Sequence, residues 1–185
     1  MEKYLSEEEI DALEFKLLVG WLETLPPAQW HVFAHNWNYD NADDILHWLI
    51  DNPRTERATA LLIYWMLGAR FYKQYATAAE ARAHGTAVEK HWLFIHHIEA
   101  NYLREFYAVG TVGFDPARDT ATSAKGHDWT AEYQDKPAAL AIPALLLVAV
   151  PGTQPHGDWV AASSEGIPAH IWEQLEAHLG EDEED

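Results

Sequence analysis

The chain has 185 residues, no cysteine and a formal net charge of −18, from 30 acidic and 12 basic side chains. This acidity argues against a nucleic acid or an anionic membrane as a partner, because both require a basic protein surface. The lack of cysteine excludes disulfides and thiolate metal sites. The start MEKYLSEEEI does not have the form of a secretory signal, and the longest apolar run, 138–150, is too short for a bilayer span. We therefore expect a cytoplasmic protein.

The first two predicted helices are separated by a proline pair. Ser6 and Glu9 have the S-x-x-E spacing of a capping box, which begins a helix over residues 6–25. Pro26-Pro27 ends that helix, and proline is favoured in the first turn of the next one. Apolar residues at i, i+3, i+4 and i+7 from Trp30 then predict one apolar face on the second helix.

The next two predicted helices lie at the centre of the fold. Polar turn formers at 38–41 precede a third helix, which Asp40 or Asn41 is expected to cap, and Asn52-Pro53 ends it. A fourth helix begins near Thr55 with the sequence ATALLIYWMLGA, which is apolar on nearly all sides. We therefore expect the fourth helix to be buried.

This part of the sequence resembles a known family. NWNYDN, a helix with an apolar face, DNP and then TALLIYW, within residues 30–67, resemble the bacterial domain of unknown function 4274, in which a Trp/Asn/Asp turn precedes a Pro and a "TAL-aliphatic-aromatic" helix. A second stretch at 98–116, IEANYLREFY followed by FDP, resembles the segment after that domain in longer members. The family has no assigned activity, so the resemblance implies an α-helical bacterial domain and no particular chemistry.

Beyond the fourth helix, the sequence predicts one long helix and then a long loop. Thr86 and Glu89 form a capping box at the start of a helix over about 87–109. Residues 110–136 are rich in Gly, Asp, Thr and Ala, which predicts a long loop with room for a short hairpin.

The C-terminal part combines an ambiguous apolar run with a last helix. Periodicity does not distinguish helix from strand for 138–150, and its Ala and Leu content favours a helix that begins at Pro143. An amphipathic helix begins at Pro168, and the acidic tail 181–185 is expected to be disordered. The elements together predict a mainly α fold: a single helical domain over 1–180, with a family-like core at about 28–75 and a loop-rich part at 110–180.

A catalytic or cofactor site is not predicted. His31 and His35 have the i, i+4 spacing that can place two imidazoles on one metal, but the Glu of an H-E-x-x-H motif is missing and no third ligand is evident. We therefore expect ordinary histidines there and no cofactor. The few serines lack a nucleophile motif, and no phosphate-binding glycine motif occurs.

Two sets of residues are candidates for contact with a partner. The first is an acidic cluster around the third helix, where the helix dipole disfavours a carboxylate at the C-terminal end. The second is a pair of loop tryptophans, which could be binding anchors or plugs over the core. The candidates are Asp40, Asp43, Asp44 and Asp51, with Trp129 and Trp159. The alternative for the acidic cluster is that Asp40 caps the helix and the others are merely solvated.

These observations favour a non-enzymatic acidic binding protein. Within that class they favour an immunity-type protein that neutralises a basic toxin or another basic partner, because acidic surfaces speed association with basic proteins. Two alternatives stay open. One is a small metal-dependent hydrolase that uses His31, His35 and a nearby Asp to hold a metal-activated water. The other is a structural or adaptor module that binds another helix face.

Overall fold

The structure is a computed structural model that describes residues 5–41, 43–121, 124–157, 159, 161 and 165–178. The predicted acidic tail, 181–185, lies outside the described residues, as does the last part of the predicted C-terminal helix. The α-helices of the described part are α1 (Glu7–Thr24), α2 (Pro27–Asn36), α3 (Asp44–Ile50), α4 (Arg57–Met66), α5 (Ala69–Tyr72), α6 (Ala78–Ala83), α7 (Thr86–Leu103) and α8 (Ala169–Glu176). The mainly α fold is confirmed, and no β-sheet occurs among the residues that the structure describes.

α4 is the buried centre that its sequence predicts. Every residue from Ala58 to Trp65 is buried, with side chains that are at most 1 % exposed. α2, α3, α5 and α7 pack around it, while α1 packs on α3 and α8. A helix that is apolar on all sides is stable in water only when it is buried, so the amphipathic helices pack around it.

Helix starts were predicted with mixed success. The Ser6 hydroxyl accepts a hydrogen bond from the Glu9 N–H, and the Glu9 carboxylate accepts from the Ser6 N–H, so this capping box is confirmed. The prediction that Asp40 or Asn41 caps the third helix is wrong, because α3 begins only at Asp44. Asp43 stands at its N-cap without a capping hydrogen bond, since its carboxylate is turned toward another helix.

The long helix is shorter than predicted. α7 ends at Leu103 rather than near 109, because Glu105 adopts a left-handed conformation with φ of 58°. The chain then runs extended, and Ala108 exchanges backbone hydrogen bonds with Thr55 and Arg57 at the start of α4. A non-local pairing of this kind has no signature in the helical periodicity of the sequence.

The predicted loop at 110–136 pairs with the segment around 150–153. Within the described residues of 110–136 no hairpin forms; instead, single bridges join Val112 to Thr153 and Phe114 to Val150. The predicted helix at Pro143 reduces to one 3₁₀ turn, Ala144–Leu147, because the chain beyond it is drawn into these bridges.

A buried ionic network joins α4 and α7 to the residue that follows α5. The Lys73 ammonium, just after α5, lies 2.6 Å from the Glu99 carboxylate of α7, and both side chains are buried. The Tyr64 hydroxyl of α4 donates to the same carboxylate at 2.6 Å. Burial, followed by the charge of Glu99, raises the pKa of Tyr64 above its ordinary value, so the phenol stays protonated.

None of the described helices combines the length and the apolar composition needed for a membrane span.

Candidate functional site

α3 separates two surface grooves. The first, which we call the α1–α3 groove, has a volume of about 890 Å³. Its acidic lining residues are Glu8, Asp11, Asp44 and Asp51, and its apolar ones are Ala12, Phe15, Trp48 and Pro53. Phe15 is 37 % exposed, which is a large exposure for an aromatic side chain in the middle of a helix. The groove therefore combines apolar contact area with carboxylates.

The second groove, the α3–α7 groove, lies on the other side of the same helix and has a volume of about 860 Å³. Asp44 and Asp51 line this groove as well, so they border both. Further lining residues are Asp40, Asp43, His47, Lys90, His91 and His97. The four carboxylates that the sequence singles out thus all line this one groove.

The electrostatics of the two grooves are strongly negative. Six carboxylates line them, and Lys90 is the one lysine or arginine among the lining residues. Asp44 is exposed and enters no ion pair among the described residues. Such a surface raises the local concentration of cations and of basic segments, because exposed like charges sum into a field of several kT.

Histidines of α7 partner two of these carboxylates. His91 Nε2 lies 2.9 Å from an Asp43 oxygen, and His97 Nε2 lies 2.6 Å from an Asp51 oxygen. The hydrogen bond to Asp43 raises the pKa of His91 above its ordinary value. Asp51 at the negative end of the α3 dipole is therefore stabilised from another helix rather than from its own.

His47 sits between the two histidine pairs and behaves differently. Its ring stacks on Phe94 with centroids 3.8 Å apart. Partial burial lowers the pKa of His47, and the surrounding carboxylates Asp43, Asp51 and Asp44 counteract this in part. The groove therefore presents one histidine that resists protonation beside one, His91, that favours it.

The two predicted tryptophans lie elsewhere. Trp129 begins a 3₁₀ turn, and its ring N–H donates to the buried Asp119 carboxylate at 2.8 Å. Trp159 packs edge-on against Trp21, with ring centroids 5.3 Å apart. Both rings are partly buried against the core, and neither lines the two grooves at α3.

The predicted histidine pair of α2 is held by separate partners. His31 Nδ1 lies 3.2 Å from the Thr59 hydroxyl, and burial lowers the pKa of His31 to about 3, so its ring is neutral. His35 Nε2 lies 3.0 Å from Asp119. Within the described ranges, no cluster of three or more His, Asp or Glu side chains has a metal-binding arrangement. The Asp beside this pair is Asp119, which is 84 positions from His35, rather than one of the aspartates at 40–44.

Sequence reasoning missed the residues that complete the grooves. His91 and His97 come from α7, and Glu8, Asp11 and Phe15 come from α1, so they meet α3 only after folding. The pattern of acidic and apolar residues along α1 fits an ordinary solvent-exposed helix face as well as it fits the wall of a groove. Only α3 itself carries a local signal, the aspartates at its two ends.

One family model matches part of the chain. Residues 25–103 match the family model of a domain of unknown function, DUF4274, which confirms the resemblance drawn from residues 30–67. The matched segment is less than half of the chain and runs from α2 to the end of α7. It contains the whole lining of the α3–α7 groove. No curated protein and no solved structure shows a significant match.

Proposed function

We propose that this chain, whose residues 25–103 match the DUF4274 family model, is a non-enzymatic binding protein of the cytoplasm. In this proposal it captures a basic protein partner on the α3 surface. Within that class we favour an immunity-type role, in which the captured partner is a basic toxin. The family description carries no activity, so the proposal stands on the properties of the surface.

The observation that carries the proposal is the position of α3 between two acidic grooves. Asp44 and Asp51 border both, so a partner seated on either side meets the same carboxylates. Lysine and arginine side chains combine a cationic head with an aliphatic stem, and the α1–α3 groove offers a complement to each. Its carboxylates match the head, while Phe15 and Trp48 provide apolar contact for the stem.

Electrostatics also favours a protein partner over a small cation. An acidic surface of this extent steers a basic protein over distances beyond contact and speeds its association, especially at low salt. The charge of −18 provides the long-range part of that attraction. The grooves at α3 provide the specific part, since they hold carboxylates and apolar side chains together.

An equilibrium experiment tests the surface. A fluorescein-labelled amphipathic peptide of lysine and leucine serves as the basic probe, and its dissociation constant is measured by anisotropy. The groove variant Asp44→Asn/Asp51→Asn is compared with Asp135→Asn/Glu173→Gln, which removes the same charge at two exposed positions away from the grooves. We expect the groove variant to bind several-fold more weakly and the control to bind as the native protein does. Equally weakened peptide binding in both variants would mean that net charge alone determines the affinity, and the proposed site would be wrong.

The immunity-type role requires a cellular test. The products of neighbouring reading frames are expressed alone, and any that arrests growth is then co-expressed with this chain. We expect native protein to restore growth against a basic toxin, Asp135→Asn/Glu173→Gln to do the same, and Asp44→Asn/Asp51→Asn to fail at equal abundance. Absence of a toxic neighbour, or full rescue by the groove variant, would contradict the immunity-type role.

A further inference from the structure

We propose that a second pocket, away from the grooves at α3, binds a small molecule that joins one carboxylate to an apolar body. This pocket lies where the start of α4 meets the end of α7 and the chain around 109–112 and 145–151. Its volume is about 330 Å³, which is enough for a small organic ligand. We call it the Arg57 pocket; its lining includes Arg57, Tyr102, Val109, Val112, Leu145 and Val148.

The charge of the pocket sets it apart from the rest of the surface. Arg57 is its one charged lining residue. The guanidinium lies over the Tyr102 ring, 4.4 Å from the centroid, and makes no ion pair with a carboxylate of any described residue. In a chain with 30 acidic and 12 basic residues, a half-buried arginine without a carboxylate partner is unexpected. The guanidinium is thus available to an external anion.

The backbone around Arg57 is held in place before any ligand arrives. The Arg57 N–H donates to the Ala108 carbonyl at 2.9 Å, and the neighbouring Glu56 carboxylate accepts from the Val112 N–H at 2.8 Å. Gly110 passes so close to Glu56 that a methyl group there would overlap the carboxylate. Glu56 is thereby engaged with the backbone rather than with Arg57. A site fixed in this way loses little freedom when a ligand binds.

The walls of the pocket require an apolar ligand body. Val109 is 93 % exposed, Val148 is 58 % exposed and Leu145 is 49 % exposed. These exposed apolar side chains lie together around one pocket, and covering them with an apolar ligand would lower the free energy. Covering them also removes water from the guanidinium, which strengthens its hydrogen bonds to a carboxylate.

The lining of the pocket limits the ligand to a single charge. Arg57 is the one charged lining residue, so one guanidinium balances one carboxylate. A second or third negative charge would have no cationic partner in the lining. A monocarboxylate seated on Arg57 is therefore tolerated, and a polyphosphate is disfavoured.

Octanoate is the probe that tests the pocket, with calorimetry on the native protein as the measurement. We expect one saturable site per chain. Octan-1-ol, which lacks the charge, and acetate, which lacks the body, should each bind at least about tenfold more weakly, as expected for a charge-assisted contact in an apolar site. Equal binding of octan-1-ol and octanoate would show that Arg57 takes no part, and absence of saturable octanoate binding would overturn the site.

Variants then locate the binding. Arg57→Met keeps an unbranched apolar chain, removes the charge and should weaken octanoate binding at least about tenfold. Arg104→Met is the matched control, because the Arg104 guanidinium also lies over an aromatic ring, that of Phe106 at 5.0 Å, but does not line the pocket. Its octanoate affinity should equal the native value.

A second variant leaves Arg57 in place and guards against a folding defect in Arg57→Met. Val148→Glu puts a carboxylate of the protein on the exposed rim of the pocket, where it competes for the guanidinium. We expect a loss of octanoate affinity comparable to that of Arg57→Met, with an unchanged circular dichroism spectrum. Native octanoate affinity in Val148→Glu, or in a folded Arg57→Met, would contradict the proposal.

Discussion

Asp44 and Asp51 on α3 are exposed to solvent, whereas Glu99 on α7 is buried against Lys73 and Tyr64. The same functional group therefore meets two environments within one chain. A buried carboxylate depends on its partners for its solvation, while an exposed one retains water. The difference implies that the Glu99 charge depends on its partners inside the protein. The Asp44 and Asp51 charges remain accessible to a binding partner, although Asp51 is also hydrogen-bonded to His97.

The largest expected effect is on the buried side of this comparison. Glu99→Gln removes the charge that compensates the buried Lys73 ammonium, and breaking such a pair costs about 3–5 kcal/mol. Urea unfolding followed by circular dichroism measures the loss. We expect the double variant Lys73→Met/Glu99→Leu to lose less than Glu99→Gln, because it leaves no buried charge behind. A loss below about 1 kcal/mol in Glu99→Gln would mean that water reaches this network.

The next effect concerns the apolar part of the same interior. Leu62 lies on α4 and is fully buried, so Leu62→Ala should cost about 2–5 kcal/mol through the lost transfer free energy and the cavity left behind. Chemical denaturation provides the measurement, with the half-exposed Leu93→Ala of α7 as the control that should change stability by less than about 1 kcal/mol. Similar losses in both variants would show that α4 is not the centre of the core.

A smaller effect is expected from the ion pair between α3 and α7. The folded state raises the pKa of His91 through Asp43, so the protonated pair adds stability below the ordinary pKa of histidine, and this contribution is lost as pH rises through the folded pKa. Asp43→Asn should therefore lower stability at pH 5.5 more than at pH 8.5, by less than about 1 kcal/mol for a partly exposed pair. An NMR titration of His91 should show a lower pKa in Asp43→Asn; an unchanged pKa would mean that Asp43 is not the cause of the shift.

The smallest effect on stability is expected for the exposed carboxylates themselves. Asp44→Asn/Asp51→Asn should shift the melting temperature by no more than about 3 °C, because surface substitutions usually change the free energy of unfolding by about ±0.5 kcal/mol. Differential scanning calorimetry provides the measurement. A larger loss would show that α3 uses these charges to fold, and the contrast between buried and exposed carboxylates would fail.

Much of the fold could be predicted from the sequence because its signals are local. The capping box at Ser6, Pro27 at the start of α2 and the uniformly apolar α4 each depend on residues within one or two turns. Errors arose where distant segments decide the outcome. α7 stops early because the chain after it pairs with the start of α4, and the helix predicted at Pro143 yields to the bridge between Phe114 and Val150.

The candidate site was predictable only in part for the same reason. Aspartates at both ends of α3 can be seen in the sequence, and the structure brings them to the two grooves. The histidines that pair with Asp43 and Asp51 lie 46 or more positions along the chain, as in the hydrogen bond between His97 and Asp51. No periodicity relates such positions, because only the packing of α3 beside α7 brings them together.

The rate of association with a basic partner tests the central claim most directly. Stopped-flow fluorescence with the labelled lysine and leucine peptide compares Asp44→Asn/Asp51→Asn with Asp135→Asn/Glu173→Gln over a range of salt concentrations. Both variants carry the same net charge, so any difference between them reports the position of the charge. We expect association at low salt to be about threefold or more slower in the groove variant than in the control, with the rates converging as salt screens the field. Equal rates for the two variants at low salt would contradict the account, because they would remove the α3 surface from the binding site.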